Sequence, residues 1–372
     1  MPGTINTEKI GKLGFGYMRL PRKSGVIDIE QIKKMADKFI ESGGTYFDAA
    51  FVYEGAEIAM RESVIKRYPR EAIQVATKLN LHFVENQNQF REQFNTSLER
   101  LGTDYVDFYL LHGINAETSK KAEDTGAWNF LSGLKEKGLI RHLGFSFHSS
   151  PENLDEILSK HPEVEFTQLQ INYLDWESEK VQSRRLYEIA RKHNVPIVVM
   201  EPVKGGLLTG DASPIAGLLK NANPNVSMAS WALRYTAQLE GVFVTLSGMS
   251  SYEQLLDNVR TFADLKPLSG DEENILKQAV EIFNAVPRID CTSCRYCVND
   301  CPSKIAIPML IDTYNNYLVY NTTTNLDHGY RMWTRDGGKA SDCIACRVCE
   351  GICPQHLEIV DTIAKVAALF DV

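Results

Sequence analysis

The first 290 residues contain no cysteine, and all eight cysteines of this 372-residue chain fall between Cys291 and Cys353. A secreted disulfide framework is not confined in this way, so that class is excluded. No stretch approaches the roughly 18 consecutive apolar residues that would span a membrane. The opening MPGTINTEKIGKLGFG has no apolar run of the kind an export signal needs, and a cytoplasmic protein is the expectation. There is no Lys/Arg run, and the net charge of −8 argues against nucleic acid as a partner. Nor does a G-x-G-x-x-G follow an early strand; Gly14-Phe15-Gly16 is too short to mark a dinucleotide-binding open sheet.

What is present is a soluble composition, 44% hydrophobic and 24% charged. The length suits one large domain and one small one. Up to about residue 265, apolar runs at 13–18, 45–48, 73–79, 106–111, 142–147, 166–171, 196–201 and 242–247 read as strands. Helical periods fill the gaps at 29–41, 56–67, 90–101, 128–137, 151–159, 179–193, 227–238 and 252–261. Strict alternation of this kind predicts a (β/α)8 barrel over residues 1–270, with the doubly wound sheet as the alternative. Composition changes near Pro287, and residues 271–372 form the second domain, entered by a linker helix at 271–284. Within it, residues 305–340 are polar and are expected to pack across the barrel without a core of their own. The tail 357–370 reads as a docking helix.

Polar residues punctuate the barrel where strands end. In YFDAAFVYEG, Asp48 closes a strand and Tyr53 follows in the loop; Lys78 closes IQVATK, and His112 closes VDFYLLH. Side chains at these ends share one mouth in a barrel. A buried ammonium requires an acid, for which Asp48 is placed, and a cation beside a phenol lowers its pKa. The four together make a proton-donating site.

These pieces, with LGFGYMRLP, VATKL, IRHLGFSFH and VTLSGMSSYEQLLDN, resemble the aldo-keto reductase family over residues 10–264. The resemblance implies that Asp48, Tyr53, Lys78 and His112 are a catalytic tetrad: Tyr53 protonates the forming alkoxide, Lys78 and Asp48 tune it, and His112 binds the carbonyl oxygen. It also implies a nicotinamide coenzyme, NADP or NAD, and a small carbonyl substrate. Coenzyme contacts carry over to Tyr17, Met18, Ser146, Gln170, Gly205, Leu207, Gly248, Ser250, Gln254, Asp257 and Asn258. Several depart from the family pattern. Phe147 replaces the usual asparagine, and Met200-Glu201-Pro202 stands where an aromatic residue normally stacks on the nicotinamide. Gly248 and Gln254 occupy the positions of two basic residues that grip the 2′-phosphate, so NADP over NAD is not secured and weak coenzyme binding is expected.

The cysteines form a repeat. Cys291, Cys294, Cys297 and Cys301-Pro302 recur as Cys343, Cys346, Cys349 and Cys353-Pro354, an offset of 52 (343 minus 291). In C-x2-C-x2-C-x3-C-P runs three thiolates converge on one cluster and the fourth ligates the other. The expected sets are therefore Cys291, Cys294, Cys297 and Cys353 for one [4Fe–4S] cluster, and Cys343, Cys346, Cys349 and Cys301 for the second. Two structural zinc sites are the competing reading, although zinc ribbons use separated C-x-x-C pairs. The segment resembles the bacterial-type ferredoxin domain, with residues 302–342 as an insertion.

The leading expectation is a carbonyl oxidoreductase whose clusters exchange single electrons with a partner protein. The alternatives are an electron-transfer protein with a scaffold barrel, and an ordinary reductase whose clusters are structural or sense oxygen. No residue pattern identifies a flavin site.

Overall fold

The computed structural model describes Ile5, Thr7, residues 10–82 and residues 84–371; part of the segment read above for an export signal's absence lies outside them. The chain divides into two compact units, residues 1–203 with 229–268, and residues 204–228 with 269–372.

The first unit is a closed parallel barrel of eight strands: β1 Leu13–Gly16, β2 Tyr46–Asp48, β3 Gln74–Asn80, β4 Val106–Ile114, β5 Ile140–Phe147, β6 Phe166–Gln170, β7 Ile197–Met200 and β8 Val242–Ser247. β1 closes the ring by pairing with both β8 and β2. Every strand run read from the sequence is present. The helices between strands are α1 Ile29–Glu41, α2 Ala56–Met60, α3 Gln87–Leu101, α4 Ala116–Thr125, α5 Ala127–Glu136, α6 Pro151–Lys160, α7 Ser183–Lys192, α8 Ala216–Ala222, α9 Met228–Ala237 and α10 Tyr252–Ala263. Of these, α4 and α8 had no sequence signal. The α4 stretch AETSKKAEDT has too few apolar residues to show a period; its start is fixed by a capping box between Asn115 and Thr118.

Period-2 alternation decides what faces the barrel axis. Tyr46, Ala76, Phe108, Leu110, Phe166, Val198, Val244 and Leu246 fill the interior, whereas Phe47, Val75, Tyr109, Leu111, Leu169 and Val199 pack outward against the helices. Counting two residues onward from the interior set along β2, β3, β4 and β6 brings Asp48, Lys78, His112, and Gln168 followed by Gln170. Counting onward from Gly144 on β5 brings Ser146. The apolar plug thus gives way to a polar layer at the C-terminal mouth. Gly14 belongs to the plug: a Cβ there would lie 2.6 Å from Leu246 Cδ2 and 2.7 Å from Val244 Cγ1.

The second unit contains α8, then α11 Gly270–Ala285, α12 Tyr296–Asn299, α13 Ile307–Tyr320, α14 Leu326–Thr334, α15 Val348–Gly351 and α16 Ile359–Phe370. Here one expectation is corrected. Residues 305–340 do not lack a core: Ile305, Ile307, Leu310, Ile311, Tyr330 and Ala340 are buried together with Cys297, Cys349, Ile359, Ile363 and Val366. The many Tyr and Asn residues of α13 obscured an apolar stripe at 307, 310 and 311. The tail helix α16 packs into this same core.

Among the described residues no helix is long and apolar enough to cross a membrane.

Candidate active site

Lys78 and Asp48 form the centre of the barrel mouth. The ammonium donates to Asp48 Oδ1 at 2.6 Å and to the carbonyl of Ala49 at 2.6 Å, with Lys78 1% and Asp48 4% exposed. Burial lifts the Asp48 carboxyl above its ordinary pKa, opposed by the adjacent ammonium. The other carboxylate oxygen, Oδ2, is buried with no partner.

Tyr53 lies in the turn between β2 and α2. Gly55, at φ +71°, reverses the chain behind it and caps α2 in a left-handed conformation that glycine adopts without strain. The Tyr53 ring sits 5.3 Å from Lys78 Nζ and meets His112 edge to face, centroids 5.6 Å apart. The four residues read as a tetrad are therefore at one place.

Two details differ from the sequence reading. Lys78 and His112 do not end their strands; β3 and β4 each run two residues further. In β4 the register slips between Leu111 and Ile114, and Gly113 adopts φ +63°, a bulge at the barrel rim beside His112. The second difference concerns Tyr53. Its phenol is held above its ordinary pKa by burial, then by the charges of Asp48 and Glu201, with only Arg19 pulling it down. Lys78, 5.3 Å from the ring and paired with Asp48, does not outweigh these effects. Tyr53 therefore stays protonated through neutral pH.

His112 is pushed down to about 3 by burial first, then by Lys78, His148 and His82. It is a neutral imidazole, with Nδ1 buried and unpartnered.

The residues read as coenzyme contacts separate into groups. Ser146 on β5 is 2% exposed and accepts the Gly113 N–H at 2.8 Å, which leaves its hydroxyl proton free to donate. Gln170 donates its amide to Asp175 Oδ2 at 2.9 Å. Its neighbour on the same strand face, Gln168, was missed by the sequence reading. Gln168 is 4% exposed, lies in register with Ser146, and has a buried Oε1 with no partner. A buried amide oxygen left unpaired costs about 1–3 kcal/mol, which marks a place for a donor. In TQLQ the two amides share one face, and the sequence does not distinguish them.

Tyr17 is buried, its hydroxyl on Ser63 Oγ at 2.9 Å, so only its backbone is available; Met18 is 50% exposed. Gly205 and Leu207 lie in the turn that opens the 204–228 segment of the second unit, where Gly205 has φ +64° and Leu207 N–H donates to Lys204 O. Gly248 is exposed. Ser250 Oγ donates to the carbonyl of Arg19 at 2.7 Å, and its N–H donates to Gln254 Oε1 at 2.7 Å. Ser251 caps α10. Asp257 is half-buried, while Asn258 is 4% exposed and donates to Ser247 Oγ at 2.7 Å.

In the second unit the cysteines form no disulfide and sort into two cavities. One is lined by Cys301, Cys343, Cys346 and Cys349, the other by Cys291, Cys294, Cys297 and Cys353. The backbone repeats with the sequence: Ser293, Arg295 and Lys304 are left-handed, and so are Ala345, Arg347 and His356 at the same 52-residue offset. Cys297 and Cys349 are buried, and their thiols are pushed up to about 11 by burial, with neighbouring thiols contributing. Such thiols become thiolates when a metal cation coordinates them. Among the described residues no three His, Cys, Asp or Glu side chains converge on a single ion; each quartet stands around a cavity wall, an arrangement that suits a polynuclear group.

Comparison with known proteins agrees with both halves. The aldo/keto reductase family matches residues 12–281, and the 4Fe-4S dicluster domain matches residues 290–357. An aldo-keto reductase of Strobilurus tenacellus is 32% identical over 55% of this chain, which spans 63% of that protein's length. A probable aldo-keto reductase of Glycine max is 27% identical, covering 77% of this chain and 89% of that one. Among solved structures, the holo form of an aldo-keto reductase from Bacillus halodurans has a TM-score of 0.58 and 26% identity over 73% of this chain and 92% of that one. One from Klebsiella pneumoniae in complex with NADP and acetate, at 20% identity and a TM-score of 0.60 over 72% of this chain and 91% of that one, shares the fold. The chain belongs to the aldo/keto reductase family and carries a 4Fe–4S dicluster ferredoxin domain at its C-terminal end.

Proposed function

We propose that this oxidoreductase reduces an aldehyde or ketone with NADPH or NADH, and that its second domain holds two [4Fe–4S] clusters for single-electron exchange with a redox partner. The observation that carries the reading is the buried Lys78–Asp48 pair with Tyr53 and His112 gathered at one barrel mouth. The nicotinamide supplies the hydride. Tyr53 gives its phenolic proton to the substrate oxygen as negative charge develops there, and an alkoxide is basic enough to take it despite the raised pKa. Lys78 then faces a phenolate and stabilises it, while Asp48 holds Lys78 in place. Neutral His112 donates an N–H to the carbonyl oxygen and orients it.

Ser146 and Gln168 are suited to the coenzyme carboxamide, the hydroxyl as donor and the amide oxygen as acceptor. Gln170, with its amide engaged by Asp175, serves as support.

The domains are assigned to residues 1–270 and 271–372, with 302–342 as the insertion and α16 closing the core. Cys291, Cys294, Cys297 and Cys353 hold one cluster; Cys301, Cys343, Cys346 and Cys349 hold the other. The clusters supply one-electron transfer. Exchange with a partner is favoured by the surface around them, where Cys294 and Cys346 are exposed beside Tyr296 (63%) and Ile344 (67%). We assign the protein to the cytoplasm, where such thiol ligands stay reduced.

The test is anaerobic. NADPH or NADH is added to the oxidised protein with an aldehyde, and the coenzyme band and the broad cluster absorbance are followed together. Aldehyde-dependent coenzyme oxidation with cluster bleaching is the expected result. Turnover without bleaching reduces the clusters to a structural or oxygen-sensing role. Neither response leaves the barrel a scaffold.

A further inference from the structure

The two cysteine cavities correspond position by position at the 52-residue offset, yet their walls differ in chemistry. Thr292, Tyr296 and Gln355 line the cavity of Cys291, Cys294, Cys297 and Cys353. At the equivalent positions the other cavity is lined by Ile344, Val348 and Ser303. One wall therefore presents two hydroxyls and an amide, the other two aliphatic side chains and a single hydroxyl. That single hydroxyl is already engaged, because Ser303 Oγ donates to the carbonyl of Asp342 at 2.7 Å. Among the described residues, the Thr292, Tyr296 and Gln355 side chains donate to no protein acceptor.

The charges differ in the same sense. Each cavity is lined by an arginine, Arg295 in one and Arg347 in the other. Arg347 donates to Glu350 Oε2 at 2.8 Å, and Glu350 Oε1 accepts the Val360 N–H at 2.9 Å. A carboxylate is thus fixed between two residues of that wall and offsets its arginine. The position equivalent to Glu350 is Val298, and among the described residues Arg295 has no acidic partner. Reducing a cluster adds negative charge, which donors and an unopposed cation favour and an apolar wall with a carboxylate opposes.

We propose that the two sites are unequal in reduction potential, and that a single electron given to the domain settles in the site of Cys291, Cys294, Cys297 and Cys353. The inference rests on the two-cluster reading above. The step moves one electron and no atoms: this site is reduced by one, and the donor, the other cluster or a one-electron partner, is oxidised by one. Occupancy should favour this site by about tenfold or more, the effect of one hydrogen bond to a charged group, or about 59 mV for one electron.

The test is an anaerobic potentiometric titration of the full chain, read by visible absorbance and low-temperature electron paramagnetic resonance, with iron and sulfide measured on each sample. Wild type is expected to show two one-electron midpoints. Thr292→Val combined with Gln355→Leu should lower the upper midpoint, and Glu350→Gln should raise the lower one, so that each change narrows the separation. Should the combined variant lose its cluster, Glu350→Gln alone still decides. A single unsplit midpoint in wild type with both clusters present overturns the proposal. So does a Glu350→Gln protein in which the upper midpoint moves and the lower one does not. If wild type holds fewer than two clusters, the two-cluster reading falls first and this inference with it.

Discussion

Tyr53→Phe is expected to lower kcat for carbonyl reduction by about 10³-fold, within the 10²–10⁴ range of general-acid contributions, while coenzyme affinity is unchanged. The phenol combines a transferable proton with a ring that faces both Lys78 and His112. Phenylalanine keeps the ring that packs against His112 and removes only the hydroxyl, so the fold is retained. The pH profile separates this role from one belonging to His112. His112 is held at about 3, below its ordinary 6.5. A neutral native imidazole contributes stability that is complete above about pH 6.5 and is lost as pH falls toward 3. Between pH 5 and 8 it does not change charge, so kcat/KM should carry no His112 inflection in that window. An inflection near 6.5 that disappears in His112→Gln would show that the imidazole titrates and that the site is more solvated than its burial implies.

The second large effect concerns the crossing of ligands between the two cysteine runs. Cys353 lines the cavity of Cys291, Cys294 and Cys297, and Cys301 lines that of Cys343, Cys346 and Cys349. With the fourth thiol missing, a cubane loses one of four covalent anchors and is released. Iron analysis of anaerobically purified variants reads this directly. Cys353→Ala and Cys291→Ala should each retain about half the wild-type iron, and the pair combined should lose no more, since both strip the same cluster. Cys353→Ala combined with Cys343→Ala should lose nearly all of it. The reverse pattern, with Cys353 and Cys343 equivalent, would mean that each run binds its own cluster and that the cavity lining misassigns the fourth ligand.

How much of this was legible follows from the physics of each signal. The barrel strands were readable because parallel strands buried on both faces are continuous apolar runs, and the four mouth residues drew attention because polar side chains stand out near the ends of such runs. The cysteine repeat needed no tertiary information, since its spacing is local. Less was readable where composition hid periodicity, as in α13, or where two equivalent residues alternate on one strand face, as with Gln168 and Gln170. The fault at Tyr53 is of another kind. Sequence places Lys78 near the phenol, but only the fold shows that burial and the charges of Asp48 and Glu201 outweigh it. Likewise the side chain over Gly248 comes from Arg19, more than 200 residues away in the chain, and no local pattern announces it.

In the proposed reaction a hydride passes from a nicotinamide to a carbonyl carbon in the barrel mouth while Tyr53 delivers the proton. The most direct measurement is isotopic: anaerobic turnover of an aldehyde with NADPH deuterated at C4 on one face and then the other, with mass spectrometry of the alcohol. The expected alcohol carries one deuterium on the carbinol carbon from one face of the coenzyme, and Tyr53→Phe is expected to give little labelled product. Alcohol formed without label from either face would contradict it and place the source of the electrons in the iron–sulfur domain.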